Sequence, residues 1–204
     1  MEETITKLQP LKNDNVSTAI VTNILKQGID LHGLDGITSL SVLERKICEL
    51  VTNYEGTSEE RQLIFHLVQI WGGRTGRYIY VRPKEGFKWE EIDKVYEPFV
   101  ETCSAIAGTS VNDMQVVFDA MVKFNNNVKY IGYSFITKHL RFWTYPKLKL
   151  QMFPPYDSNM SCKYMKRCYN YKDIIPYWQR IYKEASDKNL SVSEYERDIF
   201  NGLK

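Results

Sequence analysis

The chain has few cysteines, almost no net charge and no long apolar run. Its four cysteines, Cys48, Cys103, Cys162 and Cys168, form no Cys-x-x-Cys pair. That scatter excludes a zinc-ligand spacing and a disulfide framework. It predicts a protein that needs no metal and no cofactor, carries no iron–sulfur cluster and suits a reducing cytosol. Lysine and arginine number 27 against 25 Asp and Glu, a formal charge of +2. The chain as a whole is therefore no polycation, and any basic surface must be local. No apolar stretch approaches the ~18 residues that span a bilayer, so no membrane contact is expected. The opening Met-Glu-Glu-Thr-Ile-Thr-Lys lacks the shape of a signal peptide, which predicts a cytoplasmic protein, nucleoid-associated if bacterial; a monomer is expected. The P-loop pattern Gly-x-x-x-x-Gly-Lys-Ser/Thr is also missing.

What is present is ordinary in bulk and unusual in detail. With 204 residues, 43% hydrophobic and 25% charged, the chain can build a sizeable core in one domain or two small lobes. Fourteen Tyr, nine Phe and four Trp make it rich in aromatics, most densely between Tyr130 and Tyr182. Such rings form a core, or they border a site that stacks bases.

Periodicity predicts an all-α fold. Residues 1–13 are polar and read as an arm. Asn13 or Asp14 caps a helix to Lys26, and the glycines of 28–38 read as a loop, with His32 in it and given no role. A helix over 39–53 turns Leu43, Ile47, Leu50 and Val51 inward. Thr57-Ser-Glu-Glu60 is a capping box for a helix to Trp71 that is apolar on nearly all sides and should be central, with His66 a core or boundary residue. Further helices are expected over 89–107, with Pro98 kinking or splitting it, and over 111–125, capped by Ser110. Others are expected over 134–145 (ended by Pro146), 157–169 and 174–188. A last one, capped by Ser191 or Ser193, runs to Phe200.

Residues 71–84 form a Gly-rich basic stretch, with Arg74, Arg77, Arg82 and Lys84 among Trp71, Tyr78 and Tyr80. Glycines permit close backbone approach and arginines fork onto phosphates. Two readings stay open: a loop that grips DNA phosphate or wedges a base step, and a solvated basic edge. Tyr78–Val81 fits a short strand.

The chemistry concentrates in residues 131–159. Lys138 stands near the start of a short apolar helix, and Asp157 opens the next, nineteen residues on. A loop over 147–156 can fold the second helix start back beside the first. A lysine next to a carboxylate can act as a nucleophile whose protons and developing charge the carboxylate handles. The plain alternative is a solvated helix lysine and an N-cap aspartate.

Thr137-Lys138 and Tyr156-Asp157-Ser158-Asn159 resemble the catalytic segment of helix-hairpin-helix DNA glycosylases, the 8-oxoguanine branch in particular. There a Thr-Lys pair opens the second hairpin helix and the catalytic Asp follows nineteen residues later. The likeness covers about residues 113–170. The family's Gly-x-Gly hairpin turn reads Ser134 and Ile136 here, with Gly132 displaced. The resemblance implies a two-lobed helical bundle over 1–204, its hairpin and catalytic segment at about 111–170, acting on double-stranded DNA in base excision repair. Lys138 would attack the sugar, as a neutral amine. Asp157 would support the charge, and Phe142, one turn beyond Lys138, would stack on the extruded base unless it serves as core. Thr137 and Asn159 would contact DNA, alongside Arg74, Arg77 and Arg82. Oxidised guanine is the expected target base, with lyase activity accompanying release or not. Two alternatives remain: a non-catalytic DNA-binding module, and a glycosylase acting on modified bases of invading DNA.

Overall fold

The computed structural model describes residue 5 and residues 8–31 and 37–202. Of the expected arm and first loop, residues 1–4, 6, 7 and 32–36, with His32, lie outside the described residues. Those described form helices and connecting turns, with no strand among them and one isolated bridge, Asn15 to Ser39.

Local chemistry sets the first helices. Helix α1 is Thr18–Leu25 with Ser17 at its N-cap, three or four residues past the expected cap. Asp14 is engaged elsewhere. Its carboxylate accepts from the Ser41 N–H at 2.6 Å and from the hydroxyls of Ser39 and Ser41. It thereby satisfies the start of α2, Leu40–Thr52. Helix α3, Ser58–Trp71, opens on the Thr57–Glu60 capping box, and Ile64 to Ile70 are all buried, as the apolar run predicts.

Tyr78–Val81 is a one-turn helix, α4, and not a strand. Gly73, at φ 87°, turns the chain into a 3-10 turn, Arg74–Arg77, that leads straight into it. Gly76 is closely overlaid there: a Cβ would lie 2.5 Å from the Gln69 carbonyl oxygen. The neighbours Ile79 and Tyr80 are both buried, which a helical turn permits and an exposed-face strand does not.

Helix α5, Trp89–Ala105, runs through Pro98 unsplit, and α6, Val111–Asn127, carries the Ser110–Asp113 capping box. Helix α7, Tyr133–Leu148, is the central element. Every residue from Phe135 to Tyr145 is buried, whichever way it faces, because α2, α3, α5 and α6 pack around it. Pro146 does not end it; burial of Leu148 holds the extra turn, and Lys149 at φ 52° stops it.

The chain then returns to α7 through residues 152 to 157, which belong to no helix or strand. Met152 to Tyr156 are buried, and the two prolines present carbonyls but no N–H groups. Helix α8, Ile174–Asp187, satisfies them: Trp178 Nε1 donates to Pro154 and the Tyr177 hydroxyl to Pro155, both at 3.0 Å. The helix expected over 157–169 is much shorter. Its hydrogen bonding shifts to a π-turn, Met160–Tyr164, where Met165 N–H reaches Met160, and Lys166 at φ 58° ends it. Met160 and Met165, five apart, are both buried, and a wide turn brings that spacing nearer one face than an α-helix does. Helix α9, Val192–Gly202, is capped by Ser191, whose hydroxyl accepts from Glu194. The buried apolar side chains form one connected cluster.

Candidate functional site

One hydrogen bond sets the register of the site. The Thr137 hydroxyl donates to the Ser134 carbonyl at 3.0 Å and accepts the Tyr156 backbone N–H at 3.1 Å. It therefore clamps the return segment to α7, pairing position 137 with 156. The next residues along each segment, Lys138 and Asp157, then line one cavity of about 240 Å³. Thr137 is fully buried, so the expected DNA contact is replaced by a positioning role. Thr137→Val should strand the buried Tyr156 N–H and cost about 1–3 kcal/mol in urea unfolding, with Thr137→Ser close to wild type. Equal midpoints for Val and Ser would remove the clamp from the account.

Lys138 is no solvated lysine: 8% of it is exposed. Its ammonium donates to the Ser134 hydroxyl at 3.2 Å and sits 4.6 Å from the centre of the Phe135 ring. Burial pushes the Lys138 amine below its ordinary value, opposed by the charges of Asp157 and Glu196. Asp157 is half-buried. Its Oδ1 accepts the N–H groups of Asn159 at 2.9 Å and Met160 at 3.1 Å, the N-cap arrangement expected of it, and this fixes the carboxylate at the cavity wall. Asn159 lines the same cavity.

The other expected residues are not brought to it. Phe142 is fully buried, edge-on to Trp71 with ring centres 5.1 Å apart, and Trp71 rather than Phe142 faces the cavity. Gly72 and Gly73 line the cavity, but Arg74, Arg77 and Arg82 do not. Arg82 lies over the Tyr78 ring at 3.9 Å and joins Lys84, Lys88 and Lys129 at a separate, more open cavity of about 500 Å³.

Sequence reasoning missed Glu196 and Arg197, which α9 places in the same cavity wall. Burial pushes the Glu196 carboxyl up, against the pull of Arg141 and Arg197. Behind them Arg141, fully buried, donates to Glu44 at 3.0 Å and reaches Glu196 at 3.5 Å; Arg197 donates to the other oxygen of Glu44. The signal was present: Glu44 sits among the inward positions Leu43, Ile47, Cys48 and Val51, and Glu196 beside Val192 and Tyr195. Charges inside an apolar stripe mark a buried network.

Of the lining residues, Trp71 and Arg197 each bury one hydrogen-bond donor without a partner, the indole N–H and Nε. Among the described residues, no group of three His, Cys, Asp or Glu side chains is arranged to hold a metal, and no helix is long and apolar enough to cross a membrane. Compared with family models, curated proteins and solved structures, the chain finds no match in any of the three.

Proposed function

We propose that the cavity of Lys138 and Asp157 is the active site of a DNA glycosylase that excises a damaged or modified base through an amine nucleophile, within a helix-hairpin-helix-like two-lobed bundle. The observation that carries this reading is the Thr137–Tyr156 clamp, which brings a desolvated lysine and a half-buried carboxylate to one small cavity. At about 240 Å³ the cavity is smaller than the ~300–1,000 Å³ that bury drug-sized ligands, and suits one extruded nucleobase and its sugar carbon. Burial favours the neutral amine that nucleophilic attack needs.

The chemistry follows from these groups. The Nζ lone pair of Lys138 bonds to C1′ as the C1′–N glycosidic bond breaks, and that electron pair leaves with the base, which takes up a proton. Asp157 steadies the positive charge that grows on the sugar and accepts the proton the amine sheds. After loss of that proton the C1′–O4′ bond breaks, O4′ takes up a proton as a hydroxyl, and the nitrogen lone pair closes a protonated imine between Nζ and C1′.

The imine is reducible, and that is the test. Wild-type protein incubated with lesion-bearing duplex and borohydride should give a protein–DNA band on a denaturing gel. Lys138→Gln should remove the band, and Asp157→Asn should slow its appearance by about 10²-fold or more. Base release with no band would make the reaction hydrolytic, with Asp157 activating water. Neither release nor band across a panel of oxidised and modified bases would leave a non-catalytic DNA-binding module.

A further inference from the structure

The segment between Asp157 and Asp173 holds no acidic residue and four cations, Lys163, Lys166, Arg167 (paired with Asp173 at 3.3 Å) and Lys172, interleaved with Tyr164, Tyr169 and Tyr171. In a chain of net charge +2 this is a concentrated basic surface. Lys166 to Lys172 are exposed without interruption. Tyr169 and Tyr171, 39% and 37% exposed, are two of the few large apolar side chains left open to solvent.

Both rings are held in place by neighbouring rings. Tyr171 lies parallel to Tyr133, 4.7 Å away at 8°, and to Phe118 at 6.5 Å and 8°. Tyr169 stacks on Tyr156 at 5.3 Å, the residue just before Asp157. The backbone beneath is held in place: Asn170 accepts from Lys172 N–H at 3.0 Å, and Arg167 N–H reaches the Ser161 carbonyl at 3.1 Å. The surface also adjoins the cavity, since Tyr169 stacks on Tyr156 and the next residue, Asp157, lines the cavity.

Rigid, half-exposed rings beside cations match one ligand chemistry, unpaired bases on a phosphate chain. Each stacked base contributes about 1–3 kcal/mol with little sequence preference, and the cations neutralise phosphates. In intact duplex the base faces are covered by their neighbours. We propose that Tyr169, Tyr171 and the cations of 163–172 form a single-stranded-DNA binding surface that holds the unpaired strand next to the Lys138–Asp157 cavity. That the strand serves this cavity rests on the glycosylase reading; the binding surface does not.

The test uses the full chain and fluorescence anisotropy with a labelled oligothymidylate and a labelled blunt duplex. The double variant Tyr169→Ala/Tyr171→Ala should bind oligothymidylate at least 10-fold more weakly and duplex within about 2-fold of wild type. Tyr171→Phe, which keeps the stacking face, should match wild type. Lys166→Gln/Arg167→Gln should flatten the slope of log Kd against log salt by about 1.4 for the single strand. Wild type failing to bind oligothymidylate, or the tyrosine double variant binding it unchanged, overturns the proposal. So does an equal loss on single strand and duplex, or tighter wild-type binding to oligouridylate than to oligothymidylate. Tyrosine-dependent binding without any borohydride adduct sustains this surface and sinks the glycosylase reading; an adduct with tyrosine-independent binding does the reverse.

Discussion

Glu44→Ala is expected to lower stability by about 3–5 kcal/mol, enough to unfold a marginal domain near body temperature. Glu44 is 2% exposed and uses both carboxylate oxygens on guanidinium groups, Arg141 of α7 and Arg197 of α9. Removing it leaves two buried arginines facing a single carboxylate, Glu196. Burying a charge without its partner costs several kcal/mol, and water has little access to repair it. Glu44→Gln keeps the shape and one acceptor oxygen, so its loss should be smaller than that of Ala yet clearly measurable. Urea midpoints at pH 7, read with unchanged slopes, decide the matter. A midpoint for Glu44→Ala equivalent to a loss under ~1 kcal/mol would mean that the network does not tie α2, α7 and α9 together.

Acidification is expected to remove a similar amount. His66 and His139 are fully buried, and burial holds both imidazoles down to about 3. His139 Nε2 faces the Gln69 side-chain nitrogen at 2.8 Å and Nδ1 meets the Tyr96 hydroxyl at 2.8 Å. A second proton would set an N–H against the Gln69 amide NH₂. The unfolded chain binds protons at these histidines below pH ~6.5 and the folded chain does not, so stability rises with pH. The contribution is complete above that pH and falls by about 2.7 kcal/mol per pH unit below it, or about 4 kcal/mol by pH 5. Glu184 adds to the loss below its unfolded range: despite burial, hydrogen bonds from Tyr164, Tyr195 and Arg180 hold it down to about 2. Glu196, pushed up by burial, acts in the opposite sense. Unfolding free energies at pH 7 and 5.5 should differ by about 2.7 kcal/mol from the histidines, and His139→Gln should halve that difference. A flat profile from pH 7 to 5 would show that neither histidine stays neutral by burial.

Much of the helical framework was legible because its signals are local. The Thr57 and Ser110 boxes cap where their sequence says, and the run Ile64–Ile70 is buried as its composition demands. The misplaced boundaries all involve partners distant in sequence or burial that no local pattern encodes. Asp14 left α1 for Ser39 and Ser41; the strand expected at Tyr78–Val81 became a helical turn under Gly73; the helix after Asp157 opened into a π-turn to bury Met160 and Met165.

The site divides in the same way. By itself the sequence determined that Lys138 and Asp157 follow Thr137 and Tyr156 at a common spacing, since that is a count along the chain. It also determined that the chain is helical, since capping and 3.6-residue periodicity are satisfied within each segment. Only the tertiary structure decided that Thr137 is a buried clamp, that Phe142 lies behind Trp71, and that Glu196 and Arg197 share the cavity wall. Those assignments depend on which side chains meet after α7 is enclosed on every side. A helix enclosed on all faces no longer sorts its polar residues outward, so the sequence pattern that separates core from surface fails where the site is built.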